Sequence, residues 1–529
     1  MSTARRKILA LCGAIILSGL LTACGTSGDG GLVAGRDEPE RMFQSGYEKI
    51  EVIYIDHVDY GDLSITGLRQ LASLDPTIGV DRQPGKFQLT INGAPVRTFD
   101  EPPENDPDEW GRLVADIVEA AHDAAPELAK KSYEEVYQVT FTGIVSKLDG
   151  FSRYSSAAEA QRNRESREGF GGIGVRIAVE ETSVRIISVM HYTPAERVGL
   201  KAEDIITHVN DKPVAGLDQE TVVDMLRGPD SSKVLLTVVR DKGKPFNVTV
   251  TRAHIVPETV TYERNGDIAH IRVYGFNLDT AESLRKELVN ARKEIGKSFK
   301  GYILDLRGNP GGLLDQSVAV SDLLIEKGRI VATHGRHPDS HQYFDATPGD
   351  VTGGMPVVVL INGDSASASE IVAAALQDSG RAVVVGSNSY GKGTVQNVFR
   401  MPNDGELTLT WARFYSPSGY TLHHLGVLPS VCTNEADETA AELIDALRKS
   451  QIKPIEIAAR VTVDPNDKPA LDKLRTTCPV RQGEQEIDMQ VAIGLLDEPA
   501  LYNRALHLAD LPSGFVNPDT GAVVSEAQP

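Results

Sequence analysis

Val357-Val358-Val359-Leu360-Ile361-Asn362-Gly363-Asp364-Ser365-Ala366-Ser367-Ala368-Ser369-Glu370-Ile371-Val372-Ala373-Ala374-Ala375-Leu376 is an apolar run, a turn of small polar residues and a second apolar run. The first run reads as a buried strand and the second as a helix. A further apolar run, Ala382-Val383-Val384-Val385, carries the chain to Gly391-Lys392-Gly393-Thr394-Val395-Gln396. The serines and Lys392 are therefore expected at the ends of neighbouring strands. Amides at a helix start are unpaired and can stabilise an oxyanion. Serine also needs a base, and a lysine desolvated among apolar strands becomes neutral enough to act as one. The segment points to a serine hydrolase. Spacing alone does not choose among Ser365, Ser367 and Ser369, because residues around a tight turn do not keep one face.

Two other motif readings fit less well. Gly386-Ser387-Asn388-Ser389-Tyr390-Gly391-Lys392 has the spacing of a phosphate loop. However, Gly393 replaces the metal-binding hydroxyl, and Thr394 to Phe399 has strand character where that fold needs a helix. Ser389-Tyr390-Gly391-Lys392 matches S-x-x-K, but neither S-D-N nor K-T-G accompanies it.

A third segment, Gly301-Tyr302-Ile303-Leu304-Asp305-Leu306-Arg307-Gly308-Asn309-Pro310-Gly311-Gly312-Leu313-Leu314-Asp315, is a strand, a glycine turn and a helix-like stretch. Together with the serine and lysine segments it resembles the carboxy-terminal processing peptidases, or tail-specific proteases, from about Val139 to Val431. That resemblance implies Ser367 as nucleophile, Lys392 as base and Gln396 as the residue that holds the lysine. It also implies the amides of Ala368 and Gly311 as oxyanion donors, and it requires neither cofactor nor metal. His334, His337 and His341 fall in a loop-like stretch without H-E-x-x-H, and His423-His424 reads as solvent-facing.

Upstream, Gly169-Phe170-Gly171-Gly172-Ile173-Gly174-Val175 and the segments to Asn210 resemble a bacterial, permuted PDZ domain. Such a domain takes a peptide tail as an added strand and binds its carboxylate in a loop of amides. Gly171, Gly172, Ile173 and Gly174 would be that loop. Val222, Val223, Met225 and Leu226 would offer an apolar pocket. Lys201-Ala202-Glu203-Asp204 carries glutamate where the family has glycine, which puts the turn's geometry in question.

The chain's 529 residues, 41% apolar, allow roughly two to four domains with ample core. A formal net charge of −20 disfavours a nucleic-acid partner. Arg5-Arg6-Lys7, the apolar run Ile8 to Leu21 and Leu21-Thr22-Ala23-Cys24 read as a signal peptide ending in a sequence that resembles a lipobox. Cys24 would carry lipid and hold the protein outside the cytoplasmic membrane. Gly25 favours the outer membrane in a Gram-negative host. Cys432 and Cys478 then remain, available for one disulfide in an oxidising space.

The expected organisation is α/β. It comprises a signal peptide (1–23), a flexible tether (24–40), an amino-terminal helical region with an insertion at about 68–138 (41–168) and a PDZ domain (169–255). A peptidase core of strand–helix units (256–431) and a helical extension with a disordered tail from Pro512 (432–529) complete it. The insertion reads as a small subdomain, and the extension as two helices, Ala436 to Lys449 and Asp488 to Leu496. Expected partners are protein substrates with apolar carboxy-termini, a membrane, an adaptor and a second copy of the chain. A catalytically silent PDZ scaffold and an acyl-transfer enzyme on cell-wall peptides remain as alternative functions.

Overall fold

The computed structural model describes residues 37–434, 439–455, 457–464, 466–509, 515–516 and 523–524. The expected leader, Cys24 and the expected tether up to residue 36 lie outside the described residues, as does most of the tail; residues 37–40 belong not to a tether but to the helix Asp37–Ile53. Within that tail, Phe515–Val516 and Val523–Val524 pair antiparallel.

The strand Val357–Ile361 lies inside a six-stranded sheet in the order Val260–Asn265, Ile268–Val273, Gly301–Asp305, Val357–Ile361, Val383–Gly386, Val431–Cys432. The first pair is antiparallel and the rest are parallel. An uninterrupted apolar strand needs cover on both faces. Val357, Val359 and Ile361 pack with the helices Thr280–Ile295 and Ala368–Asp378. Val358 and Leu360 point the other way, against Leu443, Leu447, Val491 and Leu495. Those four belong to the helices Ala440–Arg448 and Glu486–Asp497 of the carboxy-terminal extension. The extension thus forms the second wall of the peptidase core. Among its described residues it contains five helices, not two; the additional ones are Ile457–Thr462, Lys468–Arg475 and Pro499–Leu506.

A second sheet runs Gln342–Asp345, Arg329–His334, Glu406–Tyr415, Thr394–Arg400, with Arg153–Ser155 added alongside Glu406–Tyr415. Its Leu407 and Leu409 join Tyr154 in the core of the amino-terminal region. The expected insertion is a three-stranded meander, Ile78–Gln83, Lys86–Ile91 and Ala94–Asp100, followed by the helix Pro107–Ala124. It is not a separate subdomain. Phe87 of the meander sits edge-on to Trp110 at 6.1 Å, and both share one core with the helices Asp37–Ile53 and Tyr133–Val145.

The PDZ domain is an antiparallel sheet of Val175–Val179, Val184–Val189, Ile205–Val209, Lys233–Val239 and Phe246–Thr251, carrying the helix Gln219–Leu226. At its atypical turn Glu203 takes φ 68°, the left-handed conformation that glycine adopts without cost. The helix Ala157–Glu168 bridges the PDZ domain to the core. Its Glu165 pairs with Arg227 of the PDZ domain, while Arg164 and Arg167 reach Glu406 at 3.2 and 2.8 Å.

Cys432 and Cys478 are joined, closing a loop with a sequence separation of 46. Replacing either with alanine should lower stability by about 2–4 kcal/mol through the freed loop, measured by denaturant unfolding. Glu203→Gly should instead stabilise the PDZ domain by about 1 kcal/mol by removing left-handed strain, read as a rise in its melting temperature.

Candidate active site

Ser367 stands at the junction of the strand Val357–Ile361 and the helix Ala368–Asp378, with φ 56° and ψ −115°. A non-glycine residue holds such angles only when its surroundings impose them. The structure separates the three serines. Ser365 Oγ donates to Leu306 O at 2.8 Å, and Ser369 Oγ donates to Asn309 O at 2.9 Å, both fully buried. Ser367 alone of the three reaches solvent. Ala368 contributes the first N–H of the helix, and among the described residues it has no hydrogen-bond acceptor.

Gly311 packs directly against this turn. A Cβ there would lie 2.8 Å from Ser367 Cβ and 3.0 Å from the Ala368 nitrogen, so no side chain is tolerated. Its N–H, however, donates to Asn309 Oδ1 at 2.9 Å. In this arrangement Gly311 shapes the wall, and the free donor is Ala368.

Lys392 lies on the loop before the strand Thr394–Arg400. Its Nζ sits over the Phe151 ring, 5.4 Å from the centroid. Burial, and then the charge of Arg153, lowers its pKa below the ordinary lysine range. Gln396 donates Nε2 to Thr394 Oγ1 at 2.8 Å and to Thr410 Oγ1 at 3.3 Å, which fixes its amide beside the lysine loop. His423 is not solvent-facing as expected. It packs against the same Phe151 ring at 6.3 Å, and burial followed by the neighbouring His424 pushes its pKa down to about 4.

Glu370 was missed as a site residue, although Ser367-x-x-Glu370 is the spacing of a helix capping box. Its carboxylate is fully buried and accepts four hydrogen bonds. One oxygen takes Ser367 N–H at 2.8 Å and Lys392 N–H at 2.9 Å. The other takes Gly391 N–H at 2.6 Å and Ser389 Oγ–H at 2.5 Å. Burial pushes this carboxyl above the ordinary range, against the pull of those four donors.

Behind both loops runs the segment that follows Cys478. Gly363 N–H donates to Arg481 O at 2.7 Å, Arg481 N–H donates to Ser387 Oγ at 3.2 Å, and Asn362 Nδ2 donates to Gly483 O at 3.0 Å. Asp488, fully buried, accepts from Arg481 at 2.7 Å and from Arg307 at 3.3 Å. Arg307 in turn holds Asp305 at 2.6 Å. Burial raises the Asp305 carboxyl, but hydrogen bonds from Arg307 and His270 outweigh it and hold its pKa below the usual range.

The PDZ groove is a cavity of about 110 Å³ whose lining includes Gly172, Ile173, Gly174, Val223 and Leu226. Gly171 lines a larger neighbouring cleft instead. Of the pocket residues expected on the helix, Val222 is fully buried in the domain core and Met225 packs partly against it. The other two, Val223 and Leu226, line the groove.

The profile of peptidase family S41 matches residues 267–432, and that of the PDZ domain matches residues 161–239. The carboxy-terminal-processing protease of Bartonella bacilliformis is 38% identical over 305 residues, 57% of this chain and 70% of that protein. The carboxy-terminal processing protease CtpA of Bacillus subtilis is 33% identical over 333 residues, 60% of this chain and 70% of that protein. Among solved structures, the photosystem II D1 C-terminal processing protease is 21% identical, covers 74% of this chain and 92% of its own, and gives a TM-score of 0.38. These matches, spanning both the PDZ domain and the sheet that carries Ser367 and Lys392, establish that the chain belongs to peptidase family S41, the carboxy-terminal-processing serine proteases.

Proposed function

We propose that this chain is an extracytoplasmic, lipid-anchored endopeptidase that captures the carboxy-terminal tail of protein substrates in its PDZ groove and cleaves them with a Ser367/Lys392 dyad. The observation that carries this reading is Glu370, which fastens the backbone of Ser367, the solvent-reaching serine of the three, to the backbone of the desolvated Lys392. Neutral Lys392 takes the proton from Ser367 Oγ as that oxygen attacks the scissile carbonyl. The oxyanion forms against the Ala368 N–H, with Gly311 as the adjoining wall. Collapse releases the carboxy-terminal fragment with the proton from Lys392 and leaves an acyl-enzyme on Ser367, which water hydrolyses. Gln396 keeps the lysine loop and its neighbouring strand in register.

Tail binding also aligns the site. Lys392 Nζ rests over Phe151, and among the described residues it has no hydrogen-bond acceptor. The bridge helix offers a direct mechanical link from the groove to the catalytic sheet. The apolar groove favours an apolar terminal residue. The lipobox-like Leu21 to Cys24 supports the anchor, and an oxidised Cys432–Cys478 pair fits an extracytoplasmic setting.

The test is cleavage of a loosely folded reporter with an apolar carboxy-terminal tail, compared with one ending in charge. Ser367→Ala and Lys392→Ala should each lose at least about 10³-fold in kcat/KM, and the charged tail should raise KM. Cleavage that persists in Ser367→Ala overturns the nucleophile. Tail binding without cleavage by any form favours the scaffold reading, and labelling by a β-lactam favours acyl transfer on cell-wall peptides. Equal turnover of tailed and tailless reporters refutes alignment by the tail.

Because the lysine must be neutral to act and its pKa is lowered, kcat/KM should rise with pH along a limb whose midpoint lies below the ordinary lysine value. A pH–rate profile reads this directly. Glu370→Gln puts an amide where two N–H donors converge and should lower kcat by about a hundredfold through misplacement. Tail affinity, measured by fluorescence anisotropy, should stay unchanged.

A further inference from the structure

Arg153 opens the strand Arg153–Ser155 just after the bend at Phe151, close enough to Lys392 for the two charges to act on each other. The intervening Ser152 and the following Tyr154 are buried, Tyr154 within the amino-terminal core. Arg153 pairs in register with Thr408. Thr408 and Thr410 point away from Leu407 and Leu409, which lie in that same core. Gln396 bonds Thr410 on this outer face, and Lys392 rests over Phe151. Arg153 is therefore on the catalytic face, beside the lysine, and it is exposed.

Among the described residues its guanidinium has no hydrogen-bond or ion-pair partner. Glu406, the acid on this face, is already held by Arg164 and Arg167. Asp149 Oδ1 accepts from the amides of Phe151 and Ser152. Crowding by the surrounding protein, and then the charge of Arg167, lowers the pKa of Arg153. In a chain of net charge −20, Arg153 lies within electrostatic reach of two other cations, Lys392 and Arg167. An exposed guanidinium beside other cations and without a partner favours the approach of an anion.

Resting on the peptidase reading above, we propose that Arg153 is a specificity residue that receives an acidic side chain of the substrate on the leaving-group side of the scissile bond. The side follows from the path. The bridge helix begins at Ala157, just past Arg153, and its Glu165 pairs with Arg227, which lines the PDZ groove. A tail seated in the groove must run back along this helix to reach Ser367, so Arg153 meets residues between the cut and the tail. A carboxylate can take two of its guanidinium N–H donors at once.

The experiment uses internally quenched peptides with one apolar carboxy-terminus and an Asp or Asn scanned through successive positions on the leaving-group side. At one position the wild type should favour Asp over Asn by about tenfold in kcat/KM, mostly through KM, and the preference should shrink as salt is raised. Arg153→Gln should bring the Asp/Asn ratio close to one, and Arg153→Lys should restore part of it. Arg153→Glu should reverse the preference towards Lys at that position. The same comparison is made by binding in the Ser367→Ala background, so the result stands even if turnover fails. Turnover without any acid preference overturns this proposal and leaves the peptidase reading intact. A preference that survives in Arg153→Gln overturns it as well.

Discussion

A single buried carboxylate sets the geometry of the site. Ser367 and Lys392 arrive on different loops, and nothing in local backbone preference places one relative to the other. Glu370 does so by accepting from the backbone of both, one amide from the serine turn and two from the lysine loop, with Ser389 Oγ closing the shell. A carboxylate can accept this many donors only when its charge is retained and every lone-pair direction is used. The left-handed backbone of Ser367 is sustained by the same bond, which removes the amide that a relaxed conformation would turn towards solvent.

Around this point the architecture is a sheet walled on two sides. The residues of one strand alternate between two cores, and in the second core the extension covers the other face of the sheet. The buried run from Asp305 through Arg307 and Asp488 to Arg481 stitches that wall to the glycine turn beneath Ser367. Ion pairs this deep contribute little net stability, but removing one member leaves an uncompensated charge. Their value here is placement. They hold the glycine turn where Gly311 can touch Ser367.

Much of this was legible in the sequence because it depends on uninterrupted apolar runs. The strand at Val357, the helix beyond Ser369, and the strands ending near Lys392 all follow from that pattern. The choice among the serines was not legible without the family resemblance. It is decided by Leu306 and Asn309, carbonyls about sixty residues away that occupy the flanking hydroxyls. Which of the four apolar residues of the PDZ helix line the groove was not legible, because Val222 and Val223 are equally apolar and only packing tells core from groove. The insertion looked separable because its length suits a small subdomain; the Tyr60–Trp110 contact that ties it to the preceding helix is nonlocal. His423 is a similar case, drawn inward by an aromatic ring far away in sequence.

The strap behind the catalytic loops lies late in the chain. Ser367 and Lys392 are synthesised well before Cys478, Arg481 and Asp488, yet their loops are backed by those later residues. The contacts that complete the site are therefore among its longest in sequence separation, and such contacts form slowly. A chain emerging from the ribosome holds Ser367 and Lys392 for many residues of elongation before it holds the segment that backs their loops. The arrangement of those loops is complete only once the extension has docked and its Cys478 has met Cys432.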